Sequence, residues 1–97
     1  MIVWDEPISF QWSKGNSFKN SKHQVENTEI EESFFDQDKV VALDRRHSQI
    51  EQRHILLGFT KQKRLLYVVF TVRKGIVRAI SARDINKKER YLYEKAA

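Results

Sequence analysis

The chain has no cysteine, which excludes a disulfide framework and any zinc site built on thiolates. It has little continuous hydrophobicity. The longest apolar stretch, around Leu65–Val72, falls far short of the roughly 20 residues that span a bilayer. Met1-Ile2-Val3-Trp4 runs straight into Asp5-Glu6 without a basic leader, so no secretory signal and no membrane partner are expected, and the default location is the cytoplasm. Repeats and low-complexity tracts are missing, and no shift in composition marks a boundary. The 97 residues are therefore expected to form one domain, large enough to bury a modest core. The only proline, Pro7, discourages helix in residues 1–7, which are expected to be a flexible extension. His23, His47 and His54 form no metal motif and no carboxylate stands at ligand spacing, so neither a metal nor another cofactor is expected.

What is present centres on residues 65–83. Leu65-Leu66-Tyr67-Val68-Val69-Phe70-Thr71-Val72 is rich in β-branched and aromatic types, Arg73-Lys74-Gly75 is a turn, and Ile76–Arg83 is a second run. This pattern predicts a β-hairpin. The first strand is apolar at both parities, so it is expected to be central and covered on both faces. Arg78 interrupts the second run and Arg83 closes it; each needs a carboxylate, a phosphate or water. Charge is uneven. Residues 1–60 hold ten Asp/Glu against seven Lys/Arg, whereas residues 61–97 hold three against eleven. The basic third suits a polyanion or an acidic partner, or is simply a solvated surface.

Ile8-Ser9-Phe10-Gln11-Trp12 alternates as a short strand. Ser13 can cap a weak helix over Lys14–Lys22. A better helix spans Val25–Phe35, with Thr28 and Glu31 as a capping box and Ile30 and Phe34 buried. Val40–Leu43 and Arg53–Phe59 read as strands, separated by a charged loop over Asp44–Gln52, and Thr60–Arg64 is a polar turn. Asp84 is expected to cap a closing helix from Ile85 to about Lys95, with Ile85 and Leu92 on its inner face. The class is α+β: a four- to five-stranded antiparallel sheet with two N-terminal helices and one C-terminal helix.

An ordered set of short motifs resembles the BrnT toxins, the ribonuclease half of BrnT–BrnA type II toxin–antitoxin systems. Phe10-Gln11-Trp12 resembles that family's opening aromatic motif, and Asn20-Ser21-Lys22-His23 its Asn…Lys-His signature. Glu31-Glu32-Ser33-Phe34-Phe35-Asp36 resembles its acidic helix, and Asp44…His47-Ser48…Glu51-Gln52-Arg53 its loop. Ile80-Ser81-Ala82-Arg83 and Glu89-Arg90…Tyr93 resemble its closing motifs. The resemblance covers residues 8–95; residues 1–7 have no counterpart, and the Asn20–His23 spacing departs from the family pattern. It implies a RelE-like fold, RNA as substrate, a BrnA-like antitoxin, assembly of two toxins with two antitoxins, and DNA contact only through the antitoxin.

Metal-free RNA cleavage needs a base at the 2′-hydroxyl, an acid for the leaving 5′-oxygen, and cations where charge builds on the phosphate. Histidine suits the proton transfers and arginine the phosphate. His23, with Lys22, is the first candidate for proton transfer, against a plain capping or surface role. Glu51 and Arg53 share strand parity and either orient a catalytic group or pair with each other. Arg83 and Arg78 are candidates for the phosphate; for Arg83 the alternative is a salt bridge to Glu51 or Glu89. The two have opposite parity in a regular strand, a conflict that a bulge would remove. Arg64 and Trp12 complete the candidate RNA contacts, although Trp12, like Tyr67, suits a core as well as a base stack. The leading expectation is thus a metal-independent endoribonuclease toxin with Lys22, His23, Glu51, Arg53 and Arg83 in catalysis. The competing ones are a non-catalytic module that grips nucleic acid or an acidic partner, and a toxin fold that has lost its activity.

Overall fold

The chain runs β1 (Ser9–Phe10), α1 (Asn27–Phe34), β2 (Val40–Asp44), β3 (Arg53–Phe59), β4 (Leu65–Arg73), β5 (Ile76–Asp84) and α2 (Lys87–Ala96), in a computed structural model that describes residues 9–12, 24–44 and 51–96. The helix expected over Lys14–Lys22, the Lys22-His23 pair and most of the loop after Asp44 lie outside the described residues. One five-stranded sheet has the order β1-β5-β4-β3-β2, so β4 is central, as its two apolar faces predict. The sheet is mixed rather than antiparallel. Strands β2 to β5 follow one another and pair antiparallel, whereas β1 adds at the edge and pairs parallel with β5, Ser9 opposite Ile76. Nothing ties β1 to β5 through a tight turn, and only a tight turn would require them to be antiparallel. Among the described residues there are two helices, not three.

The turn between β4 and β5 is Lys74-Gly75, with φ of 52° and 78°. Two consecutive left-handed residues make the twist that a two-residue hairpin requires. One face of the sheet carries Leu56, Leu66, Val68, Phe70, Val77, Ala79 and Ala82, which form the main core with Val25, Ile30 and Phe34. Phe34 sits at its centre, edge-on to Phe10 at 5.2 Å and to Phe70 at 4.9 Å. Helix α1 comes unusually close to β3 at Gly58, where any Cβ would collide with the Ser33 carbonyl oxygen.

Both helix caps differ from the expectation. The α1 box is Glu26 with Glu29, the Glu26 N–H donating to Glu29 Oε1 at 3.0 Å, not Thr28 with Glu31. Glu31 instead accepts from Trp12 Nε1 at 2.7 Å. Helix α2 is capped by Asn86, whose Oδ1 accepts from the Glu89 N–H while Glu89 Oε1 accepts from the Asn86 N–H. Asp84 is the last residue of β5 and binds Arg64. The buried residue of α2 is Tyr93, while Leu92 remains 51% exposed. Tyr93 docks edge-on to Phe59 at 5.3 Å and donates its hydroxyl to Asp36 Oδ2 at 2.6 Å. Among the described residues, no helix is long and apolar enough to cross a membrane.

Candidate functional site

The register of the hairpin decides which arginines can act together. Val69 pairs with Ser81 but Phe70 pairs with Ala79, leaving Ile80 as the extra residue of a bulge in β5. Beyond it Arg78 lies opposite Thr71, and before it Arg83 lies opposite Tyr67. Thr71 and Tyr67 are four residues apart on β4 and share a face, so the bulge turns Arg78 and Arg83 to the same side of the sheet. This is the face away from α1. Arg53, Ile55 and Leu57 of β3 stand on it too, since Leu56 between them belongs to the core under α1.

At one end of this face Glu51, Arg53, Thr71, Arg73 and Arg78 line a shallow cleft of about 260 Å³, with Ala79 and Ile80 at its wall. Glu51 is the organiser. It accepts from Arg73 Nε at 2.5 Å and from Arg73 Nη2 at 3.0 Å, a bidentate pair. Arg73 holds the Glu51 carboxyl below the usual carboxylate range, and the charges of Arg78 and Arg53 push it the same way. Three guanidiniums thus act on one carboxylate, with Asp44 opposite Arg53 in register. Guanidinium groups serve as fixed cations rather than proton donors. The cleft can therefore hold an anion, but its described side chains give up no proton under working conditions.

At the other end of the sheet the arginines are engaged by carboxylates, Arg64 on the α1 side and Arg83 on the opposite face. Arg64 Nε donates to Asp84 Oδ1 at 2.6 Å, and Nη1 donates to Glu29 Oε1 and to the Gln24 carbonyl, each at 3.0 Å. It thereby ties α1, β4 and β5 together. Arg83 donates two hydrogen bonds to Glu89, at 2.7 and 2.9 Å, and lies 4.0 Å over the Tyr67 ring. The Arg83 contact holds the Glu89 carboxyl below its ordinary range.

The structure brings together Glu51, Arg53 and Arg78 of the sequence candidates. It does not bring Arg64 or Trp12 to them. Arg64 precedes β4 while Arg73 ends it, and about 3.3 Å per residue separates the two by roughly 30 Å. Trp12 stacks on Phe10 with centroids 6.3 Å apart and packs against the core under α1. Arg83 shares the face but pairs with Glu89, one of its two expected alternatives. Glu51 pairs with Arg73 rather than with Arg53. Sequence reasoning missed Arg73 because it was read as part of the turn; the two-residue loop at Lys74-Gly75 was the signal that would have kept it on the strand. Lys22 and His23 lie outside the described residues. Gln24, the next residue, sits at the Arg64 end. His54 is on the opposite face, 5.4 Å from Phe70, where burial lowers its pKa. Among the described residues no group of three or more His, Asp or Glu is placed to hold a metal.

A family model described as the ribonuclease toxin, BrnT, of type II toxin–antitoxin systems matches residues 12–89. No curated protein matches.

Proposed function

This chain belongs to the BrnT family of ribonuclease toxins from type II toxin–antitoxin systems, and from that premise we propose that it is a metal-independent endoribonuclease which grips an RNA phosphate with Arg53, Arg73 and Arg78. The observation that carries the reading is the cleft in which three guanidiniums converge on Glu51. Planar guanidinium forks match phosphate oxygens two at a time and keep their charge throughout. As the 2′-oxygen attacks phosphorus and the P–O5′ bond breaks, negative charge grows on the non-bridging oxygens, and fixed cations stabilise that state more than the ground state. Glu51, held ionised, is a weak base. Its role is to fix the Arg73 fork and to orient the cluster.

The proton transfers, removal of the 2′-hydroxyl proton and delivery of a proton to the leaving 5′-oxygen, are assigned to Lys22 and His23 on their likeness to the family signature and not on the cleft's geometry, since Gln24, the next residue, bonds Arg64 at the far end of the sheet. Arg83 steadies the exposed end of β5 through Glu89, whereas Arg64 and Trp12, engaged away from the cleft, serve the fold rather than the RNA. The partner is a BrnA-like antitoxin in an assembly of two toxins with two antitoxins, DNA is reached only through the antitoxin, and the complex works in the cytoplasm. The test is incubation of the purified chain with single-stranded RNA in excess chelator, alongside His23→Ala. Cleavage by the wild type that His23→Ala loses supports the reading. No cleavage by the wild type overturns catalysis, and unchanged cleavage by the variant overturns the role of His23.

One observation favours a second reading. The described residues lining the cleft include no histidine, lysine or protonated acid, which suits a surface that binds RNA without cutting it. It predicts salt-dependent association with intact RNA recovered.

A further inference from the structure

The arginine cleft does not end in a polar rim. Arg53, Ile55 and Leu57 follow one another on the same face of β3, and on that face the cleft runs directly into an apolar groove. Val40, Ala42, Ile55, Leu57 and Tyr67 form its floor, and Leu92 of α2 its wall, around about 770 Å³. Helix α2 packs on this face through Tyr93, which buries Leu57 and Leu65 and meets Phe59 edge-on, while the wall residue Leu92 and the floor residue Ala42 are left exposed. Exposed Lys88 and Lys95 stand along the α2 side.

Apolar floor, cationic wall and a terminal cluster of guanidiniums specify the chemistry of the occupant. RNA would leave the apolar floor at Val40, Ala42 and Ile55 unmatched. A small apolar ligand would leave the lysines and arginines unmatched. From Leu57 to Arg53 is about 13 Å at 3.3 Å per residue, and some nine helical residues cover that length at about 1.5 Å each. We propose that the groove is the docking surface for an amphipathic helix of the antitoxin, with apolar residues at helical spacing on the floor and carboxylates facing Lys88 and Lys95 and reaching the cleft arginines. Such a helix places carboxylates where the RNA phosphate is proposed to sit, so docking and RNA binding exclude each other. The exclusion, though not the docking, rests on the RNA reading of the cleft.

The test measures affinity of the full chain for its purified antitoxin, for single-stranded RNA, and for RNA in the presence of antitoxin. Leu92→Glu and Ala42→Glu each place a carboxylate at an exposed groove position without opening the core. Both are expected to weaken antitoxin binding at least tenfold and to leave RNA binding and cleavage at wild-type levels. Arg78→Ala is expected to weaken both ligands. Hydrogen exchange of the complex is expected to gain protection in Val40–Asp44, Arg53–Leu57 and Lys88–Lys95. Antitoxin affinity unchanged in both groove variants, or protection confined to other segments, overturns the docking surface. Self-association of the wild-type chain that Leu92→Glu abolishes also overturns it, in favour of a second copy. If RNA fails to bind while antitoxin binding still depends on Leu92 and Ala42, the docking surface stands and the RNA reading falls.

Discussion

Arg64, just ahead of β4, and Arg78, in β5, carry the same charge, but the two ends of the sheet treat that charge in opposite ways. Arg64 is surrounded by acceptors: two carboxylates and a backbone carbonyl, drawn from α1, β5 and the segment before α1. At the Arg78 end, three guanidiniums converge on a cleft whose lining, among the described residues, includes the carboxylate of Glu51. The first arrangement is complete, and it fastens a helix to a hairpin. The second gathers three guanidiniums along one open cleft, and suits an anion from outside. Basic composition alone does not distinguish these; whether the guanidiniums bridge elements of the fold or line an open cleft does.

Removing the clamp is expected to cost the most. Arg64→Ala leaves Glu29 and Asp84 without their shared cation, and with the Arg64 and Glu29 side chains 25% and 21% exposed the loss is expected to be about 2–3 kcal/mol. In a domain of this size that lowers Tm by roughly 10 °C or more, measurable by thermal denaturation. RNA binding at temperatures where the variant is folded should be nearly unchanged, and a large loss there would erase the distinction between the two ends.

Cleft substitutions should show the reverse pattern. Arg53→Ala, Arg73→Ala and Arg78→Ala are each expected to weaken RNA binding about tenfold, or about 1.4 kcal/mol, with Tm within a few degrees of wild type. Arg73 is more than half exposed, so its pair with Glu51 contributes little to folding. A collapse in stability for all three would turn the cleft into a second clamp.

Smaller effects come from the acid side. Burial pushes the Asp36 carboxyl up, but donation from the Tyr93 hydroxyl and from the Phe59 and Asp38 N–H groups holds it below its ordinary range overall. Arg83 does the same for Glu89. A carboxylate whose folded pKa is depressed contributes stability that is present above its unfolded pKa and lost as pH falls through that value towards the folded one. Stability should therefore decline below about pH 4.5. Glu89→Gln and Tyr93→Phe should each flatten that decline, by Tm against pH, and leave RNA binding at neutral pH alone.

Much of this fold was legible because its strongest signals are local. Alternation and β-branching marked β3 and β4, Gly75 marked the turn, and two apolar faces placed β4 at the centre. The caps went astray by two residues at each helix because acids near a helix start compete for partners far along the chain. Glu31 goes to Trp12, and Asp84 goes to Arg64, 20 residues away. The clamp around Arg64 was illegible for the same reason, since Glu29 lies 35 residues from it. Of the site, Glu51, Arg53 and Arg78 were legible from parity and charge. Arg73 was not, because its role depends on Glu51, 22 residues away. The bulge at Ile80 was foreseen only as one way for Arg78 and Arg83 to share a face, and the pairing of Val69 and Phe70 is what fixes it.

The most direct test of the contrast between the two ends is the salt dependence of RNA binding. Removing one cation from a phosphate should reduce the slope of log K against log salt by about 0.7 for a single strand. That reduction is expected for Arg53→Ala, Arg73→Ala and Arg78→Ala, and the wild-type slope for Arg64→Ala. Wild-type slopes in all three cleft variants, or a reduced slope in Arg64→Ala alone, would contradict the division of the sheet into a closed end and an anion-binding end.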